Sequence, residues 1–120
     1  MHNYKELFVW KKAIKLCAYI YKLTADFPNE ERFGLISQMR RASISVPSNI
    51  AEGGGRRTNN EFVHFLGVAH GSICELETQL YVSLELKFTE YNKTDFIISE
   101  ISEIQKMLYA LILKFDPKSN

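Results

Sequence analysis

Little in this chain would interrupt a helix. Its 120 residues include only three prolines and six glycines, and three of those glycines stand together at 53–55. Long helices are permitted elsewhere, because proline, which removes a backbone donor, and flexible glycine are the main local breakers. Sustained apolar–polar alternation is missing, which argues against strands. Cysteine is scarce: Cys17 and Cys74 lie far apart, with no Cys-x-x-Cys. They read as buried free thiols in preference to a disulfide or a redox pair. No apolar run approaches the length needed to span a bilayer. Lys11, Lys12 and Lys15 break the N-terminal segment that a secretory signal would need. A soluble cytoplasmic protein is the expectation.

Motifs that carry chemistry are equally sparse. His64 and His70 are six residues apart, on different sides of a helix, and His2 is remote from both. A His-Glu-x-x-His zinc motif is absent, and so is the set of Glu-x-x-His pairs on facing helices that a bundle di-metal site requires. Ser45 and Ser72 lack a nucleophile-elbow or Ser-x-x-Lys setting. Gly53, Gly54 and Gly55 do not belong to a Walker-type loop, and no strand feeds them. The sequence assembles no acid, base and nucleophile. It predicts a non-enzymatic protein without metal or cofactor.

What is present is apolar periodicity. With 46% hydrophobic and 12% aromatic residues, one domain spanning 1–120 can bury roughly two-thirds of its unfolded surface. A first helix is expected from about Lys5 to Ala25, with Val9, Ala13, Leu16, Ile20 and Leu23 inward and lysines on the wet side. Phe27-Pro28-Asn29 ends it. A second helix from about Glu30 to Glu52 carries Leu35, Met39, Ala42, Val46 and Ile50, with Phe33, Ile36 and Ile44 widening the stripe. Pro47 falls inside it. The apolar phase continues beyond, so a helix kinked at Pro47 is preferred to a stop at Val46. Gly53 or Gly54 is expected to close it in a left-handed conformation.

Thr58, with Glu61 three residues on, marks the next N-cap. The third helix then keeps phase through Phe62, Leu66, Ala69, Ile73, Leu76, Leu80 and Leu84. Gly67, Gly71 and Cys74 form a row of small residues that points to close helix–helix approach. The fourth helix is expected over Thr94 to Lys114, and the tail 117–120 is expected to fray. Together these make an all-α, antiparallel up-down four-helix bundle. Trp10, Tyr19, Tyr21, Phe65 and Tyr81 are too many aromatics for one such interior. Apolar surface should remain for contact with further copies.

The charges are unevenly placed. Residues 1–60 carry ten Lys/Arg and five Asp/Glu, a balance of +5, and residues 61–120 carry five and nine, a balance of −4. Self-association and a basic face for a polyanion are both open on this count.

An ordered set of residues carries a family likeness. It comprises Phe8-Val9-Trp10 with Ala13 and Leu16; Phe33-Gly34-Leu35 with Gln38; Arg40-Arg41-Ala42 and Ser45; Asn49-Ile50-Ala51-Glu52-Gly53 and Arg57; then Phe62, Phe65-Leu66, Ala69, Gly71-Ser72 and Glu75-Leu76. This pattern resembles the four-helix-bundle family associated with 23S ribosomal RNA intervening sequences, once labelled S23-like. It is also similar to the accessory protein of diversity-generating retroelements, which works with a reverse transcriptase and RNA. The resemblance implies a homopentameric ring. It directs attention to Arg40, Arg41, Arg56 and Arg57 as possible RNA contacts, although this chain lacks the strongly basic total charge of the retroelement protein.

These arginines have a simpler reading. Arg40 and Arg41 point about 100 degrees apart on a helix, and internal or intersubunit pairing with carboxylates such as Glu52, Glu75 or Glu77 is preferred to phosphate contact. Asn49 is expected to satisfy backbone groups opened at Pro47, and Glu52 to find an arginine. The Gly53–Gly55 loop with Arg56 and Arg57 reads as a mobile connection, with a polyanion-gripping loop as the alternative.

Overall fold

The computed structural model describes residues 1–118. Four helices follow in order: α1 (Phe8–Thr24), α2 (Leu35–Gly54), α3 (Asn59–Glu85) and α4 (Tyr91–Phe115). Short 3-10 turns at Tyr4–Glu6 and Asn29–Glu31 precede α1 and α2. Each helix packs on two neighbours around a ring, with α1 closing onto α4, while the diagonal pairs do not meet. This is an all-α four-helix bundle whose contacts fit an up-down arrangement. Its longest dimension is 45 Å, close to the roughly 40 Å that the 27 residues of α3 cover at ~1.5 Å each.

The core follows the apolar period. Leu16 and Ile20 of α1, Met39 and Ile50 of α2, Phe62 and Leu76 of α3, and Ile101 and Leu108 of α4 are all fully buried. Each such side chain contributes about 1.5–3 kcal/mol. The surplus aromatics divide as expected: Trp10 and Tyr19 pack against the rim of the core, while Tyr21 and Tyr81 remain exposed. Lys12 departs from its expected wet position. It bridges α1 to α4 by pairing with Glu100 at 2.9 Å and Glu103 at 2.7 Å.

Helix boundaries shift where local chemistry overrides the period. Leu7 is extended, so α1 begins at Phe8 and not at Lys5. Helix α2 begins at Leu35 and not at Glu30, because Gly34 takes a non-helical conformation (φ −109°, ψ −114°). The Glu31 carboxylate then accepts the Leu35 N–H at 3.3 Å, supplying the cap. The Thr58 hydroxyl caps α3 by accepting the Glu61 N–H at 3.2 Å, as the spacing predicts. Helix α4 starts at Tyr91, three residues before the expected Thr94. Of the tail expected to fray, Pro117 and Lys118 are described, with the Lys118 N–H donating to Asp116 Oδ1; residues 119–120 lie outside the described residues.

The glycines correct two expectations. No described glycine has positive φ; Lys87, after α3, takes that conformation instead (φ 63°). Gly53 and Gly54 are helical and are there for space. A Cβ on Gly53 would lie 2.7 Å from Phe65 Cβ and 3.2 Å from the Phe62 carbonyl oxygen, and one on Gly54 would lie 3.0 Å from Tyr4 Cβ. Conversely, Gly67 and Gly71 face open space. The close approach expected at that row occurs instead where the end of α2 meets the start of α3.

Helix α2 runs unbroken through Pro47, so a stop at Val46 falls away. Proline leaves the Ser43 carbonyl without its usual helical donor. The Cys17 thiol fills that role from α1, at 3.2 Å. Burial pushes the Cys17 pKa up and keeps the proton on sulfur. Cys17 and Cys74 are both free and half-buried.

Candidate nucleic-acid interface

The two arginine pairs do not converge. Arg41 and Arg56 are fifteen residues apart, which along α2 is about 20 Å. Each of the four arginines has a different environment.

Arg56 is engaged locally. It pairs with Glu52 at 2.8 Å, lies 3.8 Å from Glu61, and sits over the Phe65 ring at 5.0 Å. The expected arginine partner of Glu52 is thus Arg56. Arg57 is exposed and makes no ion pair among the described residues. The glycine run beside this pair is the end of α2, closed by the N-terminal segment. The His2 N–H donates to the Gly54 carbonyl at 2.8 Å, and the His2 ring stacks on Phe62 at 4.2 Å, with Phe115 at its edge. A mobile glycine loop is therefore not what this segment forms.

Arg40 corrects the expectation of an internal carboxylate partner. Its Nε donates to Thr24 Oγ1 at 2.9 Å and its Nη2 to the Tyr21 carbonyl at 3.1 Å. It thereby braces the last turn of α1, adding a second donor to the Tyr21 carbonyl beside the Ala25 N–H, where the helix dipole favours a cation. Its guanidinium also covers the Tyr21 ring at 4.5 Å. Arg41 is exposed. It shares a cleft with Glu75 but forms no ion pair with it among the described residues.

Asn49 does not serve the carbonyl that Pro47 frees, which is that of Ser43 and is met by Cys17. Its Nδ2 donates to the Ser45 carbonyl at 2.8 Å and to Ser45 Oγ at 2.9 Å, and Ser45 Oγ meets Ser72 Oγ at 2.8 Å. This ties α2 to α3 beside Pro47.

Arg40 and Arg41 instead join a groove between α1 and α2 with a volume of about 570 Å³. Tyr21, Arg32, Phe33, Ile36 and Ile44 complete most of its wall, and no carboxylate lines it. Arg32 sits over the Phe33 ring at 5.0 Å, and Phe33 is 88% exposed. Sequence reasoning placed Phe33 in the buried stripe of α2 and did not single out Arg32. The signal was Gly34: once the helix begins after it, both residues fall in the preceding turn, off the helical stripe.

Other polar clusters are smaller. Cys74 lies 3.8 Å from His70 Nδ1, and Gln105 Nε2 donates to Glu77 at 3.2 Å. His64 is exposed at the edge of the Phe65 ring. Among the described residues, no three His, Cys, Asp or Glu side chains are grouped to hold a metal ion. No helix among them is long and apolar enough to cross a membrane.

The fold and its basic, aromatic groove define a small helical-bundle protein with a polar face on α2. The family model described as 23S rRNA-intervening sequence protein matches residues 5–110, and the chain belongs to that family. Among solved structures, it is similar to a protein of unknown function from the S23 ribosomal protein family of Bacteroides thetaiotaomicron. The two are 22% identical with a TM-score of 0.78, over 87% of this chain and 97% of that one. At that identity the likeness bears on the fold alone. No curated protein matches the chain significantly.

Proposed function

We propose that this chain is a non-enzymatic RNA-binding protein that acts as an assembly of identical subunits. The observation that carries the reading is the α1–α2 groove, where Arg32, Arg40 and Arg41 meet with no carboxylate on the wall. Guanidinium forks suit phosphate oxygens, and an uncompensated cluster favours a polyanion. Membership in a family named for intervening sequences of 23S rRNA supports the same direction. Service beside an RNA-handling enzyme is the form suggested by the resemblance to the retroelement accessory protein.

Self-assembly is supported by apolar side chains left outside the bundle. Phe8 is 65% exposed on α1, and Tyr109 and Leu113 are about half exposed on α4. A ring of five is the state the family resemblance implies.

Retention of a structured RNA on the purified protein tests the function. Binding is expected at about 50 mM salt and should weaken steeply as salt rises, because phosphate contacts release counterions. The double variant Arg32→Gln/Arg41→Gln should lower affinity and flatten the salt dependence while leaving the helical signal intact. Failure to bind at low salt overturns the RNA reading. A light-scattering mass near the 13.9 kDa of one chain overturns the assembly reading.

A further inference from the structure

We infer that the α1–α2 groove selects unpaired RNA, with bases stacking on Phe33 and Tyr21 while the neighbouring arginines hold phosphate. This rests on the RNA reading above and names the class of RNA.

The argument begins with Phe33. A phenylalanine at 88% exposure contributes almost nothing to the core, and its turn position leaves the ring standing beside the groove mouth. Arg32 sits over it at 5.0 Å. Tyr21 repeats the pairing across the groove, 40% exposed with Arg40 over its ring at 4.5 Å. Two aromatic rings, each accompanied by a guanidinium, therefore flank one cavity.

Arg40 is held in place by Thr24 and the Tyr21 carbonyl. The ring and cation of that pair are thus positioned before any ligand arrives. Arg41 is exposed and makes no ion pair among the described residues, so its charge is open to a phosphate.

Duplex RNA would use only half of this equipment. Its phosphates can meet arginines, but its base faces are covered by their own neighbours. Unpaired bases offer free faces, and aromatic rings and arginine planes are the usual platforms for them. The lack of any carboxylate on the wall favours a polyanion over a basic or neutral protein partner.

The test measures anisotropy of a labelled, unstructured RNA of about twelve nucleotides against a fully paired duplex of the same length, at about 50 mM salt. The intact protein should prefer the single strand. Phe33→Ala should lower single-strand affinity at least about fivefold, the low end of one base–aromatic stack, while duplex affinity and the salt slope stay constant. Phe33→Trp should restore the preference. Because Phe33 lies outside the core, the variant should keep its helical signal and melting temperature.

Equal affinity for both RNAs, unaffected by Phe33→Ala but lowered by Arg32→Gln/Arg41→Gln, overturns the stacking site and leaves the RNA reading standing. Binding lost only on Arg56→Gln/Arg57→Gln moves the site to the opposite end of α2 and also overturns it. A Phe33→Ala variant that changes the light-scattering mass without changing RNA affinity makes the ring a subunit contact. No binding of either RNA overturns both readings.

Discussion

Removing the Cys17 thiol should cost more stability while Pro47 is present than after it is replaced. Proline at 47 has no N–H for the carbonyl of residue 43. Ser43 is fully buried, so that carbonyl has no water to turn to, and the Cys17 thiol at 3.2 Å is the donor it finds. Cys17→Ala leaves a buried acceptor unpaired. Such a loss costs about 1–3 kcal/mol, and because a thiol is a weak donor the lower end applies, about 1 kcal/mol. Some packing is lost as well, since the sulfur is half-buried.

The two contributions separate in a double-mutant cycle. In a Pro47→Ala background the new N–H at 47 bonds the Ser43 carbonyl along the helix, so Cys17→Ala then removes only packing. The cost of Cys17→Ala should fall by about 1 kcal/mol between the two backgrounds. In a chain this long that is roughly 4 °C in melting temperature, readable by urea and thermal unfolding followed by circular dichroism. Cys17→Ser, which keeps a donor, should cost less than Cys17→Ala in the parent. Costs that agree within about 0.3–0.5 kcal/mol in both backgrounds would refute the reasoning. The thiol would then be a packing group that merely lies near a carbonyl.

Two glycine substitutions should have opposite signs in the same assays. Gly53→Ala forces a Cβ to within 2.7 Å of Phe65 Cβ and should destabilise by about 1–3 kcal/mol, whereas Gly71→Ala meets nothing within 4 Å and should stabilise by up to about 1 kcal/mol. The α1–α4 ion pairs should shape the pH dependence. Glu103 is held below its usual range by hydrogen bonding to Lys12 and by the Lys12 charge, so its stabilisation is full above about pH 4.5 and is lost as pH falls through the lowered folded value. Lys12 is raised by its hydrogen bonds to Glu103 and Glu100, so its contribution is present below about pH 10.5 and lost as pH rises past the raised value. Lys12→Met should flatten both limbs of the stability–pH curve, and an unchanged acid limb would exclude the pair as its source.

The four helices were legible because their inner rows hold phase for many turns: Val9 through Leu23, Phe62 through Leu80, Ile97 through Leu108. Such rows report burial directly, since only one helical face can meet the core. Glycine was less legible because its meaning depends on the facing element. Gly67 and Gly71 sit four apart on α3, a spacing suited to close approach, yet they face outward. Gly53 and Gly54 sit where a chain turn is needed, yet they are helical and admit Phe65 and Tyr4. Sequence spacing identifies a face of one helix. It does not specify what lies opposite.

The candidate site was half legible for the same reason. Arg40 and Arg41 were singled out by adjacency and Asn49 by its distance from Pro47. The partners that decide their roles come from other segments: the end of α1 for Arg40, and the turn before Gly34 for the aromatic that completes the groove. The matched arginine pairs flanking residues 42–55 suggest one symmetric device. The bundle separates them, because Arg40 and Arg41 lie in the first half of α2 while Arg56 and Arg57 lie just beyond its C-terminal end.

The ends of α2 also differ in how they are sealed. At its C-terminal end, Gly53 lets Phe65 close in, while Gly54 gives its carbonyl to the His2 N–H and the His2 ring covers Phe62. Arg56 is meanwhile taken up by Glu52 and Glu61. Little apolar surface is left there, and of the two arginines only the exposed Arg57 makes no ion pair among the described residues. At the N-terminal end, the break at Gly34 puts Arg32 and Phe33 outside the helix, and Arg40 is turned toward α1 without meeting a carboxylate. A net charge of +1 conceals this difference, since it counts Arg56 and Arg41 alike. What governs binding is whether a charge is already compensated by its neighbours. On that criterion the α1–α2 groove is where this chain has both positive charge and exposed aromatic surface still uncommitted.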